Sequence, residues 1–100
     1  MRTRSGKSDG GDGGAGPGIF LAWSSEPIAA GIPGPWSELL VLAEDLALVE
    51  SAESLSRVYH ELKWSLPDGA ALMVSPLTAR PKLKGLPAGT TTWLRDRLPG

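Results

Sequence analysis

The apolar positions of this chain change their period several times between Ile19 and Leu98, and each change predicts an element. From Ser51 to Leu66 the large apolar residues Leu55, Val58, Tyr59, Leu62 and Leu66 recur at steps of three and four. That spacing draws a single stripe down a helix. Ser51 is the expected cap, with the helix running from Ala52 and with Glu53 in the first turn, where the helix dipole favours an anion. Pro67 stops the helix, because proline has no N–H to continue the ladder. Asp68-Gly69 turns the chain, and Ala70 to Ser75 follows as a short apolar strand.

Upstream, Ile19-Phe20-Leu21-Ala22-Trp23 is an apolar run bounded by Gly18 and by Ser24-Ser25. It is too short for a helix, and its aromatic and β-branched residues favour a buried strand. Pro27 to Pro35 holds three prolines and two glycines, which excludes a regular helix and predicts a loop. Ser37 to Glu50 (SELLVLAEDLALVE) admits two readings. Pro35 before it, and its Leu, Ala and Glu content, favour a helix. A helix of this sequence would be apolar nearly all round, however, broken only at Glu44-Asp45. A hairpin of strands Leu39–Ala43 and Leu46–Glu50 explains that break better, although Glu-Asp is a poor two-residue turn. After a loop from Pro76 with three basic residues, a last helix is expected over Thr90 to Leu98. Gly89 or Thr90 would cap it, and Trp93, Leu94 and Leu98 would form its buried side.

The order is strand, loop, strand, strand, helix, strand, helix. It predicts an α+β domain, ferredoxin-like in outline, with the first helix missing. Residues 1–17 read as a disordered tail, because Ser5 to Gly18 contains one alanine and no larger apolar residue and cannot offset the entropy of ordering. Residues 18–100 then form one small domain. A chain this short builds a core worth only about 3–5 kcal/mol net, which a self-paired dimer would supplement. There is no cysteine, so disulfides and thiolate chemistry do not enter. The longest unbroken apolar run, Leu39 to Ala43, is far short of the about 18–20 residues of a membrane span. A cytoplasmic protein with no membrane association is expected.

The net charge of −1 conceals a polarity. Residues 19–62 carry Arg57 against seven carboxylates, while residues 63–100 carry six basic groups against Asp68 and Asp96. The plainer consequence is that the two regions meet within the fold; the other is that each faces a partner.

Few patterns point to chemistry. Gly6-Lys7-Ser8 has the end of a phosphate-binding loop, but Met1 stands where its first glycine belongs and no strand can precede it. His60-Glu61 begins a zinc-protease motif, yet the chain has no second histidine. Glu44-Asp45 and Glu50 with Glu53 could attract a cation, but solvation and helix-dipole roles account for them. Arg80, Lys82, Lys84, Arg95 and Arg97 are the clearest surface signal. Alternation about Pro81 and Leu83 sets the first three on one side of an extended segment, where they could grip phosphates, with Trp93 as a stacking face.

The phrase Leu46-Ala47-Leu48-Val49-Glu50-Ser51, the helix Ala52 to Leu66, the strand Leu72-Met73-Val74 and the terminal Trp93-Leu94-Arg95 together resemble small ferredoxin-like proteins related to the CRISPR-associated adaptation endoribonuclease. The likeness covers Leu46 to Leu98, about half the chain. Nuclease members of that group carry a Tyr-Asp pair at the end of the first strand, which holds the catalytic metal. Trp23-Ser24 stands at that place here, and serine lacks the carboxylate that magnesium requires. The resemblance therefore implies a member without catalysis, or a truncated one. On these grounds the chain is expected to be a non-catalytic protein-interaction domain, neither enzyme nor cofactor carrier, that self-associates through a sheet edge or binds another protein. The alternative is a weak nucleic-acid or polyanion binder using the basic loop 80–84 and the C-terminal helix.

Overall fold

The computed structural model describes residues 17–100. The expected tail lies outside the described residues apart from Pro17. The elements are β1 (Gly18–Ser24), β2 (Glu38–Ala43), β3 (Leu46–Ser51), α1 (Leu55–Ser65), β4 (Leu72–Leu77) and α2 (Thr90–Arg95). The four strands form one sheet in the order β2-β3-β1-β4, and every neighbouring pair is antiparallel. The domain is α+β, and the elements follow one another as the sequence pattern predicts.

Alternation along the strands divides the core into two layers. Phe20 and Ala22 of β1 and Val49 of β3 face one side, where Val58 and Leu62 of α1 complete the cluster. Leu48 of β3 and Leu42 of β2 face the other side and meet Leu94 of α2. The sheet is thus covered on both faces. That is why β1 and β3 read as nearly continuous apolar runs and not as strict alternation.

The segment 37–50 is the hairpin. Its turn at Glu44-Asp45 is supported from outside: Ile28 N–H donates to the Glu44 carbonyl at 2.8 Å, and Ser24 N–H to that of Asp45 at 3.1 Å. The loop after β1 therefore holds a turn whose own residues favour it poorly. A register shift between Val41 and Ala43 takes up one extra residue, the mark of a bulge. The loop itself is ordered by apolar contacts. Ile28 is buried, and Ile32 and Trp36 pack on the α1-side cluster. The Trp36 ring lies so close over Gly34 that a Cβ there would overlap it, while its indole N–H donates to the Ile32 carbonyl at 3.1 Å.

Five local expectations are corrected. The N-cap of α1 is Ser54, whose Oγ accepts from Arg57 N–H at 3.1 Å. Ser51 instead ends β3, fully buried, accepting from Glu53 N–H and donating to the Pro35 carbonyl. Glu53 consequently precedes the helix, which has no acidic residue in its first turn. Leu55, at the exposed start of α1, is 40% accessible and not core. Finally, β4 extends to Leu77, and α2 is shorter than predicted, ending at Arg95 with Asp96 as its C-cap.

Candidate interaction surface

The five basic residues singled out by the sequence do not form one cluster. Leu83 and Leu86 pack into the α2-side cluster, so the segment 80–86 lies against the sheet, with Lys82 exposed before Leu83 and Lys84 exposed between the two leucines. Arg80 is half-buried, and its backbone N–H donates to the Pro99 carbonyl at 3.0 Å. Arg95 is exposed and reaches only Thr92 Oγ1, at 3.3 Å. None of these four forms an ion pair with a described residue.

Arg97 is different. Glu38 and Glu50 stand directly opposite each other on β2 and β3, a like-charge pair that a sheet does not favour. Arg97 Nε lies 3.3 Å from Glu50 Oε2, and Nη2 lies 3.6 Å from Glu38 Oε1. The Nε contact is ionic: buried Nε is not aimed to make a hydrogen bond there. The guanidinium also stacks 3.9 Å from the Trp93 ring centroid, and Nη1 donates to the Trp93 carbonyl at 3.0 Å. Trp93 Nε1 donates to Glu38 at 2.8 Å. One turn of chain after α2 thus neutralises the facing carboxylates and fastens that helix to the sheet. The acidic middle and basic end meet here within the fold, and Arg97 is drawn away from solvent.

The other candidates have structural roles. Ser24 is buried, and its Oγ accepts from Glu26 N–H at 3.0 Å, which opens the loop after β1. His60 is exposed, with Nδ1 2.8 Å from the Ser56 carbonyl oxygen one turn earlier. Glu44 and Asp45 are exposed at the hairpin turn. Among the described residues, no three His, Asp or Glu side chains are grouped to hold a metal ion. No described helix is long and apolar enough to cross a membrane.

The feature that sequence reasoning missed lies along β4. This strand is at one edge of the sheet, and three of the four exposed large apolar side chains among the described residues lie on it or beside it. Met73 is 64% exposed and stands opposite Trp23, which is 38% exposed, on the α2 side of the sheet. On the other side Trp64, 69% exposed, shares a shallow hollow of about 220 Å³ with Tyr59, Lys63, Asp68 and Leu72. Two signals in the sequence bear on this. Trp64 falls off the stripe of Leu55, Val58, Tyr59 and Leu62, so a helix seated on that stripe turns it outward. Pro76 within the last strand marks an edge, since proline cannot donate to a ladder.

No family model, curated protein or solved structure matches this chain.

Proposed function

We propose that this protein is a non-catalytic interaction domain that associates through the β4 edge of its sheet. The observation that carries this reading is the open edge strand with Trp23 and Met73 on one side and Trp64 on the other. An unpaired strand presents backbone donors and acceptors to any strand that can reach it. Exposed aromatic and methionine side chains on both sides of that strand add apolar area where an added strand would lie. The opposite edge is less suited. β2 begins at Glu38 and leads into Glu44-Asp45, so acidic groups border it.

The strand order supports reading the domain as ferredoxin-like. β3 lies between β1 and β2, as in a split β-α-β unit, with the loop 25–37 in place of the crossover helix and α2 on the face opposite α1. Trp23-Ser24 at the end of β1 supplies no carboxylate for catalysis. Sedimentation velocity from about 10 to 500 μM tests the association reading, over the range of weak interfaces. A rising sedimentation coefficient that Met73→Lys abolishes is expected; a wild-type monomer throughout overturns it.

A second reading rests on Arg80, Lys82, Lys84 and Arg95, which have no ion-pair partner among the described residues. These side chains would contact the phosphates of a polyanion. Filter binding of a labelled single strand tests it. If two or three phosphates are neutralised, log affinity falls against log salt with a slope of roughly −2 to −3, and the triple alanine variant at 80, 82 and 84 loses binding.

A further inference from the structure

Resting on the proposed association through β4, we infer that the partner is a second copy of this chain, paired antiparallel about a twofold axis at Met73.

The backbone of β4 sets the register. Ser25 N–H donates to the Ala71 carbonyl at 2.9 Å, and Ala71 N–H donates to Ser25 Oγ at 2.8 Å. Residue 71 therefore turns its polar groups toward β1, and alternation makes 73, 75 and 77 do the same. In the alternate positions of this register, Leu72 and Val74 point their N–H and C=O away from β1. The next outward position is Pro76, which has a carbonyl but no N–H. The edge therefore offers a donor and an acceptor at 72, the same at 74, and beyond them only an acceptor.

That set is its own antiparallel complement. Leu72 of one copy against Val74 of the other closes two reciprocal pairs, four hydrogen bonds in all, and none calls on Pro76. A longer foreign strand would run past Pro76 and lose a bond there. In this register Met73 faces Met73 of the second copy. Such a pair is of the close, non-hydrogen-bonded type, with Cα atoms about 4.5 Å apart. The two methionines would cover each other beside Trp23, and each Trp64 would lie along the opposite side of the extended sheet.

Charge and area agree with a second copy. Residues 70–79 (AALMVSPLTA) carry no charge, so two β4 edges meet without repulsion, which the acidic border of β2 would not allow. A fully buried aromatic removes about 150–250 Å². On that scale the exposed parts of Trp23, Met73 and Trp64 amount to roughly 400 Å² per protomer. Doubled, with the strand backbone added, this comes near the roughly 1,000 Å² lower bound of specific interfaces. The dimer is therefore a weak, reversible one.

The absence of cysteine makes the register measurable by single-cysteine cross-linking in the full chain. Cα atoms about 4.4–6.8 Å apart accept a disulfide. Met73→Cys, at an exposed position, is expected to form a disulfide dimer under mild oxidation at least about tenfold faster than Ser75→Cys alone, whose twin lies four residues out of register. A mixture of Ala71→Cys and Ser75→Cys should give the mixed dimer, since 71 of one copy faces 75 of the other. Slow Met73→Cys coupling together with a fast Met73→Cys/Ser75→Cys mixed dimer would place the axis at Val74 and overturn the register. If sedimentation shows a dimer but none of these pairs couples, the β4 twofold is wrong while association stands. If the wild-type chain is monomeric, both fall.

Discussion

Replacing Arg97 with methionine tests the charge network that holds α2 to the sheet. Methionine keeps an unbranched stem against Trp93 and removes the charge, so lost packing contributes little. What remains is Glu50, with its side chain only 17% exposed, directly across from Glu38 and without its cation. Removing one partner of a buried ion pair costs about 3–5 kcal/mol. The loss here is smaller, because Ser37 Oγ still donates to Glu50 Oε1 at 3.1 Å and because the Glu38 side chain is 51% exposed and solvated. Loss of the cation over Trp93 adds about 0.5–1 kcal/mol. A total near 2–3 kcal/mol follows, which lowers the melting temperature of a domain this size by roughly 10–20 °C. Glu50→Gln removes the repulsion at its source, so in its background Arg97→Met should cost about 1 kcal/mol. Urea unfolding followed by circular dichroism, on both single variants and the double, measures that coupling. Added salt should also restore part of the stability of Arg97→Met by screening the two carboxylates. Additivity within about 0.3–0.5 kcal/mol, the usual value for independent sites, would refute the argument and make the contacts of Arg97 incidental.

Other positions test the core and its loop. Leu62, 1% exposed beneath α1, should cost about 2–5 kcal/mol when replaced by alanine, whereas His60→Ala one turn face away should stay within about 0.5 kcal/mol; reversal of these two in urea melts would mean that the helix is seated in another phase. Ser51→Ala leaves the Glu53 N–H and the Pro35 carbonyl without their shared partner, and a loss of about 1–3 kcal/mol is expected; a neutral result would show that water replaces the hydroxyl. Gly34→Ala forces the Trp36 ring off the loop, so hydrogen exchange at residues 28–37 should accelerate, and unchanged protection there would contradict the close approach.

Local patterns made much of the fold legible, and the failures share a cause. The break at Glu44-Asp45 identified the hairpin even though the turn residues are unfavourable, because nine apolar residues around one polar pair fit two strands better than one helix. What makes that turn tenable, hydrogen bonds from Ser24 and Ile28 some twenty residues earlier, has no local trace. The start of α1 was misplaced for the same reason. Ser51 and Ser54 are both competent caps in sequence, and the choice is made by β3, which continues to Ser51 and buries its hydroxyl against Pro35. Leu55 then falls in the first exposed turn although it lies on the apolar stripe. Among the basic residues, spacing sets Arg80, Lys82 and Lys84 on one side of an extended segment; Lys82 and Lys84 are exposed, whereas Arg80 is half-buried. Spacing carried no sign that Arg97 would be drawn across the sheet, since the facing pair Glu38 and Glu50 exists only once β2 and β3 are in register.

Strand order decides where association can act. Ala70 to Ser75 reads as a short apolar strand, and such runs usually lie inside a sheet. Here it is the edge, because β1 sits between β3 and β4, and sequence-adjacent position says nothing about that. Once the order is known, the apolar side chains sort themselves. Those on β1 and β3 are covered by α1 from one side and by α2 with Leu83 and Leu86 from the other. Met73 and Trp23 are left uncovered by either helix, and Trp64 projects outward from α1 itself, around one strand whose outward groups end at Pro76. Lys82, Lys84 and Arg95 are exposed on the loop 80–86 and on α2, away from the outward groups of β4. Strand pairing and polyanion binding therefore depend on different residues. Met73→Lys should leave the salt-dependent step untouched, and the triple alanine variant should leave dimerisation untouched. If each variant instead weakened both activities, the two surfaces would have to act as one, and the assignment of association to β4 alone would be wrong.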